Sequence, residues 1–261
     1  MLNLFNRPPY KIGVALSGGG ARGFAHAGAL MALEQSGFKP DIIAGVSAGS
    51  VVAAMYASGM HPRAILESFS GINFSKLTEL RMPRGGLFSL DPFRAFLRKT
   101  ISVKRLEDMP IPIVVGVTNF DTGKPEAFRE GPVDAIVAAS CSIPVVFRPT
   151  VIDGNHYVDG GVLHNLPAWA IRKECRTLIG INCSPLRKRK SSYTGLMETA
   201  MRSYNLVAKS NALPDLALCD MQIVFDDIAD YNVFDLSEIE HLFSVGYQTA
   251  LNALRKYNSS K

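Results

Sequence analysis

A single serine stands between two glycines where a predicted strand turns into a predicted helix. The sequence Gly45-Val46-Ser47-Ala48-Gly49 follows an apolar stretch that starts at Ile42 and precedes a second one that starts at Val51. This pattern is typical of a nucleophile elbow, in which the flanking glycines let the sharp turn approach neighbouring backbone. The helix that follows would direct its partial positive charge at the serine oxygen. Because G-x-S-x-G is short, an ordinary strand-to-helix turn is the alternative at this point.

A glycine-rich loop, Ser17-Gly18-Gly19-Gly20-Ala21-Arg22-Gly23, lies one predicted strand earlier. Its G-x-G-x-x-G spacing matches the dinucleotide-binding fingerprint, and it stands between a strand and a helix as that fingerprint requires. The second strand should then end in an acidic residue, but it ends in Val46-Ser47, which disfavours a nucleotide site. A Walker loop is excluded because Gly-Lys-Ser/Thr is absent. Backbone N–H groups at a helix start still form an anion site, and beside a nucleophilic serine that anion would be an oxyanion.

A serine nucleophile needs a base, and the chain offers histidines and aspartates for that role. The five histidines are His26, His61, His156, His164 and His241, and none stands in a recognisable base context. Only one predicted strand precedes Ser47, which disfavours the Ser–Asp–His triad of the α/β-hydrolase fold. Asp159 is the better candidate, because it ends a strand and Gly160-Gly161 lets the backbone approach another loop. A free aspartate has a pKa of about 3.9 and is a weak base at neutral pH, and burial would raise that pKa.

Alternating strands and helices must position these residues. The sequence pattern predicts strands at 11–16, 41–46, 111–118, 125–128, 150–153, 156–158, 177–183 and 221–225. It predicts helices at 24–35, 51–58, 62–69, 93–99, 133–140, 193–210 and 237–257, with one more beginning near Pro167. Ser237 is the predicted N-cap of the last helix. The first two strands should lie side by side in a parallel sheet, and the pair at 150–158 should form a hairpin.

Two regions have more than one interpretation. Residues 60–110 could form a cap over a site, although ordinary core packing is favoured for most of their apolar side chains. The side chains that would then line an acyl pocket are Leu87, Phe88, Phe93, Phe96 and Leu97. Residues 186–190, LRKRK, are favoured as a solvated turn over a contact for anionic lipid headgroups.

Length and composition suit one folded domain. The chain has 261 residues, of which 47% are hydrophobic and 20% charged, so it can bury a core without disulfides or metal. Residues 1–10 are predicted to be an extension and 11–261 a single domain. The four cysteines have no metal or redox spacing and are predicted to be reduced thiols of a cytoplasmic protein. There is no signal-peptide pattern and no long apolar run, while the net charge of +5 is compatible with peripheral contact with an anionic membrane surface.

Four blocks of the sequence together resemble the patatin-like phospholipase family. They start at Gly18, Gly45, Ala139 and Tyr157, and they occur in the family's order across most of residues 11–167. The chain is most similar to the small, single-domain bacterial members. The resemblance implies a three-layer α/β/α fold with a mostly parallel central sheet, and a Ser–Asp catalytic dyad that needs no metal or cofactor.

The resemblance also assigns roles to individual residues. Ser47 would be the nucleophile and Asp159 its base, while Arg22 would either steady the glycine loop or contact a lipid phosphate. The oxyanion hole would be formed by the backbone N–H groups of Gly18, Gly19 and Gly20. The glycines that support the two catalytic turns are Gly45, Gly49, Gly160 and Gly161. His164 stands where family members often carry a small polar residue, and a structural role is favoured for it.

The activity implied is hydrolysis of a lipid acyl ester through an acyl-enzyme on Ser47. Phospholipase A, lysophospholipase and carboxylesterase chemistry all fit this description. An acyltransferase or thioesterase with the same dyad is the alternative, because water and other acceptors use the same acyl-enzyme. The expected partner is a lipid or acyl-ester substrate, and no nucleic acid is expected.

Overall fold

The computed structural model describes residues 7–80, 86–185 and 195–259, and within these ranges it contains ten strands and seven α-helices. The strands are β1 (Tyr10–Leu16), β2 (Ile42–Val46), β3 (Glu79–Leu80), β4 (Phe88–Ser89), β5 (Ile113–Asn119), β6 (Lys124–Phe128), β7 (Thr150–Ile152), β8 (Asn155–Asp159), β9 (Cys175–Asn182) and β10 (Met221–Val224). The helices are α1 (Phe24–Gln35), α2 (Ala48–Ala57), α3 (Pro62–Ser68), α4 (Asp91–Thr100), α5 (Val133–Ser140), α6 (Leu196–Ala217) and α7 (Ile239–Ser259).

The central sheet follows the order β10-β9-β1-β2-β5-β8-β7, and β6 also pairs with β5. Strands β10, β9, β1, β2 and β5 are parallel, whereas β6, β7 and β8 run antiparallel to their neighbours. Every residue of β2 and β5 is buried, as expected for parallel strands that are covered on both faces. The short strands β3 and β4 form a separate antiparallel pair.

Helices cover both faces of the sheet. On one face, β-strand residues such as Val14, Ile43 and Val115 pack with α1, α2, α5 and α7 in a large apolar core. On the other face, Ala15 and Ala44 pack with residues of α6 and with the segment between β8 and β9. The predicted three-layer α/β/α fold with a mostly parallel sheet is therefore confirmed.

Helices α1 and α7 approach each other closely because each carries a glycine at the contact. A Cβ atom at Gly28 would collide with the carbonyl oxygen of Phe243, and one at Gly246 with that of Ala25. Backbone can therefore lie against backbone, which brings the last helix onto the first one.

The ends of some predicted elements differ from those observed. Helix α6 runs to Ala217 through Pro214, because its buried face continues to pack beyond the predicted end at residue 210. Helix α7 begins at Ile239, so Ser237 is not its N-cap; the Ser237 N–H donates instead to Asp235 Oδ1 at 2.9 Å in the preceding turn. The helix predicted near Pro167 is a short 3-10 turn, Pro167–Ala170. The basic segment 186–190 lies outside the described residues, as do residues 1–6.

Most of the side chains of the 60–110 region that were candidates for an acyl pocket pack in apolar clusters. Phe93 and Leu97 of α4 are buried in the large core, and Phe96 packs against it. Phe88 packs in a smaller cluster with Phe147. The structure therefore agrees with core packing for most of these side chains. A capping role for the region stays a prediction.

Candidate active site

Ser47 occupies a strained turn between β2 and α2. Its backbone has φ of 51° and ψ of −127°, a conformation that a non-glycine residue adopts only when its surroundings impose it. The two flanking glycines allow this packing, because a Cβ at Gly45 would meet the Gly49 carbonyl and one at Gly49 would meet the Leu16 carbonyl. The serine is 6% exposed and lies at the N-terminus of α2, where the helix dipole is positive.

Ser140, the last residue of α5, holds the strained turn in place. The Ser47 N–H donates to Ser140 Oγ at 2.8 Å, and Ser140 Oγ donates to the Gly116 carbonyl oxygen at 2.7 Å. Ser140 is fully buried and therefore links the elbow to strand β5. Ser140 has no role among the sequence-based predictions, although it lies in one of the four blocks that carry the family resemblance.

Asp159 ends strand β8 and is completely buried. Its N–H donates to the Ser142 carbonyl at 3.0 Å, and its Oδ1 accepts the Gly161 N–H at 2.8 Å. Burial raises the pKa of Asp159 to about 6, and hydrogen-bonding interactions with Ser47, Gly161 and Tyr204 oppose that rise. Its second oxygen, Oδ2, is buried and accepts no well-formed hydrogen bond from any described residue.

Strand β5 separates Ser47 from Asp159 in the sheet, and glycines make the crossing short. Val46 pairs with Gly116, and Asp159 pairs with Val117, one residue further along β5. A Cβ at Gly160 would come within 2.7 Å of the Gly116 carbonyl oxygen, so only glycine fits there. The register therefore brings the elbow serine and the aspartate to the same edge of the sheet.

Tyr204 of α6 is a residue of this site that sequence analysis did not identify. Its hydroxyl and Asp159 Oδ1 both lie beside Gly161, where an added Cβ would contact each of them. Burial, and then the neighbouring Asp159 carboxylate, raises the pKa of Tyr204 well above its usual value. No sequence signal marks Tyr204, because it lies alone in a long helix, 45 residues after Asp159 and outside every motif.

The glycine loop differs from the expectation at Gly18. The Gly18 N–H donates to the Asn165 carbonyl oxygen at 3.0 Å, so it is already used within the protein. Among the described residues, none accepts a hydrogen bond from the N–H of Gly19 or of Gly20. Gly20 has φ of 60°, and a Cβ there would collide with the Val233 carbonyl. The loop thus presents two consecutive N–H groups next to the cavity that contains Ser47.

Arg22 is 8% exposed, and all three of its guanidinium nitrogens donate to backbone carbonyls. Nε donates to Tyr231, Nη1 to Pro185 and Nη2 to Ala229, at 3.1, 3.3 and 3.1 Å. Desolvation by burial lowers its pKa. Of the two roles considered for Arg22, this geometry matches steadying the loop, since its donors point at the chain itself.

No histidine hydrogen-bonds Ser47 or Asp159 within the part of the chain described by the structure. His164 Nδ1 lies 2.7 Å from Asp215 Oδ2 on α6. His26 is buried with Nε2 2.8 Å from the Ser17 carbonyl, and burial lowers its pKa to about 4. His61, His156 and His241 contact Arg63, Asp121 and Tyr231 respectively.

Two cavities meet at Ser47. The larger cavity has an empty volume of about 770 Å³, counting its open mouth, and includes the apolar side chains of Phe24, Val52, Phe69, Leu77, Phe93 and Phe147. The smaller cavity, of about 340 Å³, includes Asn165, Ser184, Met201, Tyr204, Asn205 and Ala208. Gly20, Ser47, Ile143, Val233 and Phe234 line both.

Comparison with models of known protein families identifies the family of this chain. The family model described as patatin-like phospholipase matches residues 14–171, which is more than half of the chain. The chain belongs to the patatin-like phospholipase family. This confirms the resemblance carried by the four sequence blocks, all of which lie inside the matched range.

Relatives of this patatin-like chain are longer than it is. An uncharacterised NTE family protein of Mycobacterium bovis is 33% identical over 159 residues, which is 60% of this chain and 44% of that protein. Lysophospholipase NTE1 of Kluyveromyces lactis is 26% identical over 267 residues, which is 90% of this chain and 18% of that protein. The chain therefore spans less than half the length of these curated relatives.

A solved structure shares the fold of this patatin-like chain. VipD from Legionella pneumophila superposes with a TM-score of 0.62 at 16% sequence identity, over 97% of this chain and 68% of that one.

In the described ranges, none of the helices combines the length and the apolar character that a membrane span requires.

Proposed function

We propose that this chain is a serine hydrolase of lipid acyl esters, in which Ser47 is the nucleophile and Asp159 its general base. The observation that carries the proposal is a strained elbow serine that lines a large apolar cavity and interacts with a fully buried carboxyl, that of Asp159. Membership of the patatin-like phospholipase family supports lipid hydrolysis, and so does the match to a relative described as a lysophospholipase.

Acylation begins when Asp159 takes the proton of Ser47 Oγ. Oδ2 is the oxygen suited to this, because Oδ1 already accepts the Gly161 N–H. Ser47 Oγ then bonds to the ester carbonyl carbon, and the carbonyl oxygen becomes an oxyanion. When this intermediate collapses, the bond to the leaving alcohol breaks and the alcohol departs with the proton from Asp159. Water repeats the sequence on the acyl-enzyme, which releases the fatty acid and restores Ser47.

The oxyanion hole in this proposal consists of the Gly19 and Gly20 N–H groups. Gly18 is removed from the predicted set, because its N–H donates to Asn165 and cannot turn to a substrate without breaking that bond. Gly18 instead keeps the loop close to the nucleophile, since a Cβ at Gly18 would lie 3.0 Å from the Ser47 Cβ. Loss of one such oxyanion donor typically costs about 2.7–4 kcal/mol of transition-state stabilisation.

Burial makes Asp159 a better base than a free aspartate. A general base works best when its pKa lies near the operating pH, and burial brings the pKa of Asp159 to about 6. The carboxylate is then still mostly ionised at neutral pH. A dyad without histidine is thereby chemically competent.

The test uses p-nitrophenyl decanoate and the variants Ser47→Ala and Asp159→Asn. Each should lower kcat/KM by at least about 100-fold, because proton transfer and nucleophilic attack are both needed. A fluorophosphonate should label the wild-type protein at Ser47. The matched control is Ser244→Ala, at an exposed serine of α7, which should retain wild-type activity and labelling. Full activity in folded Asp159→Asn, or labelling at another serine, would contradict the dyad.

A further inference from the structure

The peptide group between Gly18 and Gly19 carries one of the two N–H groups proposed for the oxyanion. A peptide group is planar and trans, so its C=O and its N–H point in opposite directions and turn together. Gly18 is buried, whereas Gly19 is partly exposed and lines the smaller cavity beside Ser47. The direction of the Gly19 N–H is therefore fixed by whatever holds the Gly18 carbonyl oxygen.

A peptide group between two glycines rotates easily unless contacts hold it. Glycine has no Cβ, so rotation about ψ of Gly18 and φ of Gly19 meets little steric resistance. Such a rotation would turn the Gly19 N–H away from the cavity and remove an oxyanion donor. An effective oxyanion hole needs its donors in place before the reaction begins, so this peptide group has to be held.

Three side chains lie within hydrogen-bonding distance of the Gly18 carbonyl oxygen. Ser17 Oγ is 3.0 Å from it, Cys183 Sγ is 3.4 Å from it, and Ser184 Oγ donates to it as well. Ser17 belongs to the loop and moves with it, and a thiol is a weak donor. Among the described residues, Ser184 is therefore the strong donor that reaches this oxygen from a different segment, the one that follows β9.

Asn165 orients the hydroxyl of Ser184. Asn165 Nδ2 donates to Ser184 Oγ at 3.0 Å, and because a hydroxyl has one proton, that proton is left for the Gly18 carbonyl oxygen. Asn165 is buried, and the Ser184 N–H donates to Asn182 Oδ1 at 2.9 Å, so both residues are fixed in turn. The Asn165 carbonyl oxygen also accepts the Gly18 N–H. The peptide groups on both sides of Gly18 are thus held by Asn165 and Ser184.

We propose that Ser184 is a positioning residue for the reaction, whose hydroxyl holds the Gly18–Gly19 peptide group so that the Gly19 N–H points at the oxyanion. This inference rests on the proposed function. The hydrogen bonds from Asn165 to Ser184 and from Ser184 to the Gly18 carbonyl form a chain, which polarises the peptide group and strengthens its N–H as a donor. Ser184 lies beyond residues 14–171, so the family match does not include it.

The experiment measures kcat and KM of Ser184→Ala with p-nitrophenyl decanoate. Acylation and deacylation both form an oxyanion, so kcat should fall about 5- to 30-fold while KM stays within about twofold of wild type. Ser184→Thr keeps the hydroxyl and should retain most of the wild-type kcat. The matched control is Ser58→Ala, at the end of α2 remote from Ser47, where a partly buried serine also donates to a backbone carbonyl, that of Met55, at 2.7 Å. It should leave kcat unchanged.

A pair of inhibitors separates positioning of the N–H from a general loss of structure. In a decyl trifluoromethyl ketone, Ser47 Oγ bonds to the carbonyl carbon, the carbonyl oxygen becomes an oxyanion and the serine proton passes to Asp159. The corresponding trifluoromethyl alcohol has the same chain but forms no oxyanion. Ser184→Ala should weaken binding of the ketone by about the factor lost in kcat, and binding of the alcohol by less than about twofold.

Three results would overturn the role of Ser184. They are a kcat within about twofold of wild type in folded Ser184→Ala, equal losses of affinity for the ketone and the alcohol, and a loss in Ser184→Thr as large as in Ser184→Ala. In each case, Ser47-dependent hydrolysis by the wild-type protein would still support the proposed function. If the wild-type protein shows no Ser47-dependent hydrolysis, the proposed function itself fails.

Discussion

Asp159 is a carboxyl that the fold holds in an unfavourable place. The Gly161 N–H is its one hydrogen-bond donor of good geometry among the described residues, which does not replace the water that burial removed. A rise in pKa from 3.8 to about 6 corresponds to a cost of the order of 3 kcal/mol for the ionised form. The residue thus lowers stability at the pH at which it would act as a base.

The pH dependence of stability tests this cost. Because the folded-state pKa lies above the unfolded value, the folded protein binds more protons between about pH 4 and pH 6, and this group's contribution to the free energy of unfolding falls as pH rises through that window. The free energy of unfolding of Asp159→Asn should therefore exceed that of wild type by roughly 1–3 kcal/mol at pH 8, and the difference should nearly vanish at pH 4. Urea unfolding at both pH values measures it. A difference of the same size at both would mean that the carboxyl charge is not the cause.

At the scale of elements, helix α6 completes the site by contacts along one face. Tyr204, Asn211 and Asp215 are seven and four residues apart, which places them on the same side of the helix. Asn211 Nδ2 donates to the Gly161 carbonyl at 2.9 Å, and Asp215 Oδ1 accepts the Trp169 N–H at 2.9 Å. The helix therefore holds the whole segment that follows Asp159.

Removal of the Tyr204 hydroxyl should change the pH profile more than the fold. The hydroxyl favours the ionised form of Asp159, so Tyr204→Phe should raise its pKa and move the acid limb of kcat/KM, expected near pH 6, upward by about one pH unit. Initial rates of p-nitrophenyl decanoate hydrolysis, measured at a series of pH values between 4 and 9, give the position of the acid limb.

The control for this change is Tyr247→Phe on α7, whose hydroxyl donates to Gln35 at 2.7 Å away from the site. It should leave the acid limb unchanged. An acid limb that stays in place in Tyr204→Phe, with kcat reduced only through lost stability, would give Tyr204 a structural role alone.

At the scale of the whole molecule, residues beyond the family-matched range complete both the sheet and the site. Strand β9 lies between β1 and β10, and α7 packs along α1. Ser184 and Tyr204, which line the smaller cavity, also come after residue 171. The matched range 14–171 therefore contains Ser47 and Asp159, the two residues of the proposed dyad, but not the side chains that α6 and Ser184 add beside them.

A fragment ending at residue 171 should not fold. Strand β1 would become an exposed edge with apolar neighbours, and the apolar face of α1 would lose α7. Circular dichroism and thermal unfolding should show no cooperative transition in the fragment and one in the intact chain. A cooperatively folded fragment would contradict the prediction that residues 11–261 form one domain.

Local sequence was sufficient for the parts whose chemistry is local. The glycines around Ser47 and those after Asp159 indicate that the backbone there lies close to neighbouring backbone. The apolar runs predict buried parallel strands, because both faces of such strands are covered. These signals placed the elbow, the glycine loop and the candidate base, and they gave the three-layer fold through the family resemblance. The aspartate was a candidate before its surroundings were known, because a carboxyl at a strand end followed by two glycines can reach another loop.

Tertiary structure decided what depends on residues far apart in the chain. The Gly18 N–H is used by Asn165, Ser140 fixes the elbow, and Tyr204 reaches Asp159, each across a separation that no local pattern encodes. The separation of the two cavities at Val233 and Phe234 depends on hydrogen bonds from Ala21 and Arg22 to the carbonyls of residues 229–233. Periodicity and spacing indicate on which face of its own helix or strand a side chain lies. Hydrogen-bond partners and cavity walls are instead set by packing between elements.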